Sequence, residues 1–331
     1  MTSAAAVPHQ PPATGSSPRV ASLPADAHTG LAFHRLVFAR RRHAWWSPLL
    51  VGVLGVLLFV GLAVVIVVIV ALISLADPGI LAALTRFAQS PRIDIADPVM
   101  LAMVLGSIAL MLPAYVLASR IVHGARVGLV SSAAGRLRWG WLVRCGLLAL
   151  AVYTVVEGLA LLLPGSSGAG PGVAAWGWSL LVVIVLVPIQ AAAEEYVFRG
   201  YLMQLIGRWL RHPLWAILLP VPLFVVGHLY DLPGQISVGI FAVAAAWLSW
   251  RTGGLEAAIG LHVVNNLVVF ATGLSGLTDV PASGTTVVGL VLSTAAVGGY
   301  VALIEWVFPR QRMPRVLVLV PPGSTAVGDG R

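Results

Sequence analysis

The sequence predicts an all-α fold, a polytopic bundle of about eight transmembrane helices with both termini cytoplasmic. Hydrophobic residues make up 59% of the 331 residues and charged residues only 10%, whereas soluble domains carry roughly 25% charged residues. The apolar residues also form runs of about 20, the length that crosses a bilayer as a helix. The eight runs are 47–75, 98–119, 141–163, 176–207, 213–230, 235–251, 254–273 and 285–308.

The loops between these runs alternate in their arginine content. Arginines precede the first run and follow the second, fourth, sixth and eighth runs. Because arginine accumulates in cytoplasmic loops, this pattern places both termini in the cytoplasm. The net charge of +8 comes from arginines spread over these loops, so it does not indicate a nucleic-acid surface. The single cysteine, Cys145, excludes an internal disulfide framework and a cysteine-ligated metal cluster.

Composition divides the chain into five segments. Both tails are rich in Pro, Gly, Ser and Ala, and we expect them to be disordered. Before the second run, residues 79–90 form a short apolar segment that is expected to be an interfacial helix. The segments are a tail at 1–44, three spans at 45–173, a core at 174–275, the last span at 276–310 and a tail at 311–331.

Three ionisable residues interrupt the fourth run. Glu194, Glu195 and Arg199 lie within six residues of each other in the stretch EEYVFRG. Charged groups at bilayer depth are costly and rare, which indicates a functional site. Glu195 and Arg199 are four residues apart, so they share one helix face and can form an ion pair.

Two later runs add histidines and amides. His228 ends the stretch FVVGH, which begins at Phe224, and His262 begins the stretch HVVNN. His262 and Asn266 are four residues apart and share a face, whereas Asn265 is expected to point about 100° away from Asn266. Three helices can therefore bring a carboxylate, two imidazoles and an amide to one polar site.

These three stretches, in this order on successive apolar helices, resemble the motifs of the CAAX-protease and bacteriocin-processing intramembrane endopeptidases. The motifs are Glu-Glu-x-x-x-Arg, Phe-x-x-x-His and His-x-x-x-Asn. The resemblance covers roughly residues 174–275, about a third of the chain. The first three spans and the tails resemble no family that we can name.

The resemblance implies a role for each motif residue. Glu194 would be the catalytic carboxylate and would activate a water together with His228. His262 and Asn266 would bind or polarise the scissile carbonyl and its oxyanion. The supporting residues would be Glu195, Arg199 and Phe224, the first two holding the motif helix and the third packing beside the site.

Two mechanisms fit the same residues. In the first, Glu194, His228 and His262 ligate a zinc ion, since two histidines and a glutamate are a known catalytic zinc set. In the second, Glu194 acts as a general base without a metal. The sequence does not decide between zinc and no cofactor, although the absence of a His-Glu-x-x-His run favours the metal-free route.

The function expected from the resemblance is endopeptidase activity in the membrane. The partners would be the lipid bilayer and a membrane-embedded or lipidated peptide substrate, with no nucleic acid, and the location would be the plasma membrane. Two alternatives use the same residues: a proton-coupled transporter with the Glu and His cluster as a relay, and a catalytically silent immunity or scaffold protein. Glu157, another carboxylate within a span, has no counterpart in the motifs.

The catalytic hypothesis requires a long fourth helix. If that helix continues to Gly207, Glu194 lies about 20 Å from its end, at 1.5 Å per residue. His228 lies about 22 Å beyond Pro213 by the same rise. The two depths then agree, whereas a helix ending at Glu194 would leave the carboxylate at the surface.

Overall fold

The computed structural model describes residues 24–27, 29–89, 94–160, 162, 173–275 and 286–319. Predictions that fall on residues 1–23, 28, 90–93, 161, 163–172, 276–285 and 320–331 lie outside the described residues. Within them, helices dominate and a single pair of two-residue strands forms the sheet. The all-α prediction is therefore confirmed.

The first half of the described chain contains five α-helices. A 3-10 turn at Ala25–Ala27, strand β1 at Leu31–Ala32 and a 3-10 helix at Phe33–Ala39 precede them. Another 3-10 turn, Val127–Val130, separates the last two. The helices are α1 Ser47–Ser74, α2 Pro78–Gln89, α3 Pro98–Ala109, α4 Met111–His123 and α5 Trp139–Ala160.

The second half begins with a helix that changes its winding. Helix α6, Val173–Glu195, continues through a π-helical stretch at Tyr196–Leu202 into α7, Met203–Trp209. The following helices are α8 Pro213–Leu218, α9 Val221–Val226, α10 Leu232–Thr252, α11 Glu256–Ser275 and α12 Val287–Val307. The described chain then ends with a 3-10 turn at Phe308–Gln311 and strand β2 at Val316–Leu317.

Among the described residues, seven helical segments are long and apolar enough to cross a membrane. The predicted fifth span, 213–230, is the exception. Its apolar helix covers only Pro213–Val226, about 21 Å at the rise of an α-helix, against a hydrocarbon core of about 30 Å. Pro220 and Pro222 lack the backbone N–H that a continuous helix needs, and the helix is divided there into α8 and α9. The prediction of eight full spans is corrected to seven spans and one short apolar helix. This short helix still leads the chain from Trp209 to the start of α10, at the opposite end from Thr252, so both ends of the described chain can lie on one side.

The fourth span is the longest of these segments. It is helical from Gly177 to Trp209, so the predicted continuation through Glu194 to Gly207 is confirmed. The π-helical stretch begins directly after Glu195. Such stretches are rare and occur frequently at functional sites. Gly200 lets this stretch approach its neighbour, because a Cβ there would lie 2.6 Å from Cγ1 of Val130.

The two ends of the described chain meet on one side of the bundle. Strand β1 pairs antiparallel with β2, with Leu31 opposite Leu317 and Ala32 opposite Val316. Both ends of the described chain therefore lie on one side of the bundle, as the prediction for the two termini requires. That this side is cytoplasmic stays a prediction from the arginine-rich loops.

The prediction of a disordered tail at 1–44 is wrong for its described part. Leu31, Phe33 and Leu36 are fully buried and share a core cluster with Met203 of α7. Arg35 is buried as well, because it forms an ion pair with Asp26 at 2.7 Å and donates to the carbonyl of Gly207 at 2.9 Å. Pairing with an acid satisfies an arginine that composition alone assigns to solvent. In the C-terminal tail at 311–331, β2 is likewise ordered.

Helix α11 lies in the centre of the core and positions the site. It packs against α5 on one side and α6 on the other, while α10 and α12 close the bundle around it. The largest hydrophobic cluster joins these helices to Phe224 of α9. The polar residues of α6, α9 and α11 are thereby held next to a dense apolar core.

Candidate active site

Glu195 lies at the centre of a buried cluster of polar side chains. Its Oε1 accepts a hydrogen bond from Nη1 of Arg199 at 2.9 Å and another from Nδ1 of His262 at 2.7 Å. Glu195 is completely buried. The predicted pair of Glu195 with Arg199 is confirmed, and Glu195 additionally orients His262, a role that the motif spacing did not indicate.

Arg199 fixes this cluster to the neighbouring helices. Its Nη2 donates to the backbone carbonyl of Ala242 on α10 at 3.1 Å. The guanidinium carbon also lies 4.4 Å from the ring centroid of Phe224 and 5.9 Å from that of Phe241. Such cation–π contacts are strong where the cation is desolvated. Phe224 thus packs in the site, as predicted for a supporting residue.

Glu194, like its neighbour Glu195, has a buried oxygen without a hydrogen bond among the described residues. Its Oε2 lies 3.4 Å from Nε2 of His262. This oxygen is buried and lacks a hydrogen-bond partner among the described residues, as does Oε2 of Glu195. Buried polar atoms nearly always have partners, so each exception requires an explanation. A free carboxylate oxygen beside an imidazole is available to accept a proton.

The hydrogen bonds determine where His262 carries its proton. A carboxylate oxygen only accepts, so Nδ1 of His262 bears the hydrogen that it donates to Glu195. In the neutral ring, Nε2 then presents its lone pair toward Glu194. Two carboxyl groups, one guanidinium and this imidazole therefore lie together in the same buried cluster.

His228 lies at the end of α9, half-buried. Its Nδ1 bonds to the carbonyl oxygen of Phe224 at 2.8 Å, which leaves Nε2 as an acceptor. The ring of Phe224 lies 4.7 Å from that of His228 and 6.3 Å from that of His262. The structure therefore brings Glu194 and His262 into contact and places the rings of both His228 and His262 next to that of Phe224.

Asn266 begins a chain of hydrogen-bonded amides. Its Nδ2 donates to Oε1 of Gln190 at 3.2 Å, and its Oδ1 accepts from Asn265 at 3.0 Å. Asn265 in turn accepts from the hydroxyl of Tyr153 on α5 at 2.8 Å. Asn265 was predicted to point away from the site, yet it belongs to this network because its amide reaches both Tyr153 and its neighbour.

Gln190 and Tyr153 were missed by the sequence interpretation. Gln190 precedes Glu194 by four residues, so both side chains lie on one face of α6. Its polarity in an apolar helix was therefore the available signal. Tyr153 gave no such signal, because a tyrosine in a span is ordinary packing until its hydroxyl partner is known.

The zinc alternative requires Glu194, His228 and His262 to converge on one ion. In the part of the chain that the structure describes, no group of three His, Cys, Asp or Glu side chains could hold a metal ion. Nδ1 of His262 bonds to Glu195 and Nδ1 of His228 to a carbonyl oxygen, which leaves Nε2 of both rings unused by these bonds. The three predicted ligands therefore do not fit a zinc site because they do not converge on one point, not because their nitrogens are occupied.

Comparison with known proteins identifies the same segment. Residues 176–268 match the model of the family described as Rce1-like, "Type II CAAX prenyl endopeptidase Rce1-like". The uncharacterized protein YyaK of Bacillus subtilis (strain 168) is 36% identical over 97 residues, which cover 27% of this chain and 32% of that protein. No solved structure matches the chain.

The family match and the candidate site cover the same part of the chain. All three motifs fall within residues 176–268; Glu194, Glu195, Arg199 and His262 form one buried polar cluster, whereas the partly buried His228 and Asn266 bond to Phe224 and Gln190. The resemblance of this segment to the type II CAAX prenyl endopeptidases is therefore confirmed, in a multi-pass membrane protein.

Proposed function

We propose that this protein is an intramembrane endopeptidase that hydrolyses a peptide bond with a water activated by Glu194. One observation carries the proposal: Oε2 of Glu194 is buried, has no hydrogen-bond partner among the described residues and faces Nε2 of His262 at 3.4 Å. General bases must be within reach of the proton that they accept, and an unbonded oxygen fulfils that condition. The family match over residues 176–268 supports the same reaction class.

The residues divide the reaction among them. Glu194 accepts a proton from the water as the water oxygen attacks the scissile carbonyl carbon. Nδ2 of Asn266 has a second hydrogen beyond the one donated to Gln190, and it donates to the oxyanion. His262, when protonated, donates from Nε2 to the same oxyanion. The proton on Glu194 then passes to the leaving amine.

Glu195, Arg199 and His228 support these steps. Glu195 holds His262 in one tautomer through Nδ1, and Arg199 holds Glu195. His228, whose Nδ1 bonds to the carbonyl oxygen of Phe224, offers the lone pair of Nε2 to the water. Fixed tautomers of this kind orient the groups before the substrate binds.

The proposed mechanism needs no metal. It is supported by the described residues, in which Glu194, His228 and His262 do not converge as a group that could hold a metal ion. We expect cleavage to survive treatment of the purified protein with 1,10-phenanthroline. Loss of cleavage with the chelator, and its recovery on adding zinc, would overturn the metal-free mechanism while leaving the endopeptidase assignment intact.

The substrate class follows from the location of the site. A base buried between apolar helices reaches a peptide that is embedded in the membrane or attached to it by a lipid. The plasma membrane is the proposed location, and the bilayer itself is the second partner. A nucleic-acid partner has no basic soluble surface to bind in this arrangement.

The experiment is a cleavage assay with purified protein in lipid nanodiscs and membrane peptides isolated from a strain that lacks it. We expect Glu194→Gln to lower the cleavage rate by about 10²–10⁴-fold, the usual contribution of a general base, and His228→Gln to lower it less. Glu157→Gln is the matched control, because Glu157 is a half-buried carboxylate of α5 outside the motifs. Its cleavage rate should equal that of the wild type.

Two results would contradict the proposal. Unchanged cleavage by Glu194→Gln would remove Glu194 from the mechanism. No cleavage by the wild type, together with proton flux in liposomes that Glu194→Gln abolishes, would support the transporter instead. A silent scaffold would show neither cleavage nor flux.

A further inference from the structure

Arg40 differs from the other buried arginines of the described chain. Four arginines are buried, and three of them have a carboxylate partner: Arg35 pairs with Asp26, Arg138 with Glu256 and Arg199 with Glu195. Arg40 is only 3% exposed and forms no ion pair with a described carboxylate. Buried charges are normally paired, so Arg40 lacks the counter-charge that the other three have.

The hydrogen bonds of Arg40 leave most of its donors unused. Its Nη1 donates to the carbonyl of Arg126, and its Nη2 donates to the hydroxyl of Ser119 at 2.5 Å. Its Nε is buried without a partner. A guanidinium has five N–H donors, so three remain. Burial lowers the pKa of Arg40 to about 10, which still leaves the side chain charged at neutral pH.

A cavity lies directly beside this arginine. It is small and partly open, and Arg40, Ser119 and His123 line it together with apolar residues such as Val51 and Val116. None of the residues that line it is an aspartate or a glutamate. The cavity therefore combines a cationic end with apolar walls.

The position of the cavity is at the cytoplasmic end of the helices. It lies between the start of α1 and the end of α4, the level at which arginines meet lipid headgroups. An anion with a polar head and an apolar continuation matches both parts of its lining. Phosphate presents several acceptor oxygens, which suits the planar donors of a guanidinium.

We propose that this cavity binds a phosphate group, with Arg40 as its principal ligand. The phosphate is either the headgroup of an anionic phospholipid or a free phosphate ion. The unused donors of Arg40 supply the hydrogen bonds, and Ser119 and His123 lie beside them. The apolar walls would accommodate the first part of a lipid tail.

The cavity also touches the back of the catalytic helix. Tyr196, Gly200 and Tyr201, which line it, belong to the π-helical stretch that follows Glu195. The hydroxyl of Tyr196 bonds to Ser131, and that of Tyr201 bonds to the carbonyl of Pro48. An occupied cavity would therefore brace the stretch that carries Arg199.

Thermal melting of the delipidated full chain in detergent tests the proposal, because a ligand of the folded state raises the melting temperature in a saturable way. The probes are dioleoylphosphatidylglycerol, dioleoylphosphatidylcholine and inorganic phosphate. We expect a saturable shift with phosphatidylglycerol and none with phosphatidylcholine, whose choline neutralises the phosphate. A shift with inorganic phosphate of equal affinity would identify the free ion as the source. No saturable shift with either anion would overturn the proposal.

Variants assign the effect to the cavity. Arg40→Gln should weaken the apparent affinity by about tenfold or more, as expected for the loss of one charge-assisted hydrogen bond. Arg41→Gln is the matched control, since Arg41 is exposed, and it should respond as the wild type does. Val116→Trp fills the cavity without changing Arg40, so it tests the site even if Arg40→Gln does not fold. Wild-type affinity in Val116→Trp, or in a folded Arg40→Gln, would overturn the proposal.

Discussion

Two buried glutamate–arginine pairs, Glu256 with Arg138 and Glu195 with Arg199, differ in whether both carboxylate oxygens accept hydrogen bonds. In the first pair, Glu256 accepts at Oε1 from the backbone N–H and Nε of Arg138, at 2.8 and 2.9 Å, and at Oε2 from Nη2 at 2.6 Å. Arg138 also donates to the carbonyls of Thr252 and Pro314. Both partners are therefore satisfied, and the pair joins three separate parts of the chain.

In the candidate site, by contrast, the hydrogen bonds of the glutamates are incomplete. Glu195 accepts two hydrogen bonds at Oε1, but its Oε2 is buried without a partner, as is Oε2 of Glu194. Polar networks that are fully satisfied stabilise a fold, whereas unsatisfied buried atoms cost free energy. The saturated pair is a structural connection, and we propose that a water and a substrate bind at the unsaturated oxygens.

The largest expected effect tests the saturated pair. Glu256→Gln leaves the guanidinium of Arg138 buried without its counter-charge, which should lower the free energy of unfolding by about 3–5 kcal/mol. Thermal melting measures this loss. Glu194→Gln should leave the melting temperature close to that of the wild type, because Oε2 of Glu194 has no hydrogen bond to lose. Equal destabilisation by both variants would contradict the comparison.

The second-largest effect is expected on kcat, from a change at Asn266 in the chain of hydrogen-bonded amides. Asn266→Ala removes the proposed oxyanion donor and should lower kcat by about 10²–10³-fold, with little change in KM. Steady-state cleavage kinetics separates the two constants. Asn265→Ala, one residue away, acts only through Asn266 and should lower kcat less. An equal loss in both variants would place the donor elsewhere.

A substitution at Gly207, where the fourth span packs against the N-terminal segment, should have a smaller effect, and on stability alone. In Gly207→Ala the new Cβ would lie 1.8 Å from the carbonyl oxygen of His34, so the N-terminal segment must shift at a cost of about 1–3 kcal/mol. Gly177→Ala, on the same span with no atom within 4 Å of its Cβ, is the control. A melting temperature in Gly207→Ala equal to that of the control would show that the N-terminal segment is not packed there.

The smallest expected effect lies at the end of the amide chain. Tyr153→Phe removes the hydroxyl that bonds to Asn265, a contribution of about 0.5–1.5 kcal/mol. We expect a fall in kcat of a few-fold and a nearly unchanged melting temperature. A loss as large as that of Asn266→Ala would indicate that Tyr153 contacts the substrate.

The parts of the fold that the sequence predicted are those set by local composition. Runs of apolar residues gave seven spans, and the arginine pattern placed both ends on one side, which the pairing of β1 with β2 confirms. The prediction of a full-length span at 213–230 was wrong because it rested on length and hydropathy and gave too little weight to the helix-breaking Pro220 and Pro222. The prediction that the tail 1–44 is disordered was wrong for its described part, because Leu31, Phe33 and Arg35 have partners far away in sequence that composition does not reveal.

The sequence by itself determined a membrane helix bundle and the motif residues Glu194, Glu195, Arg199, His228, His262 and Asn266, since residue type and helical spacing are local properties. Only the tertiary structure decided which partners those side chains have. It directed Nδ1 of His262 to Glu195, left Oε2 of Glu194 unbonded and added Gln190 and Tyr153 to the network. The physical reason is that a hydrogen bond depends on the distance between helices far apart in sequence, which no local pattern encodes.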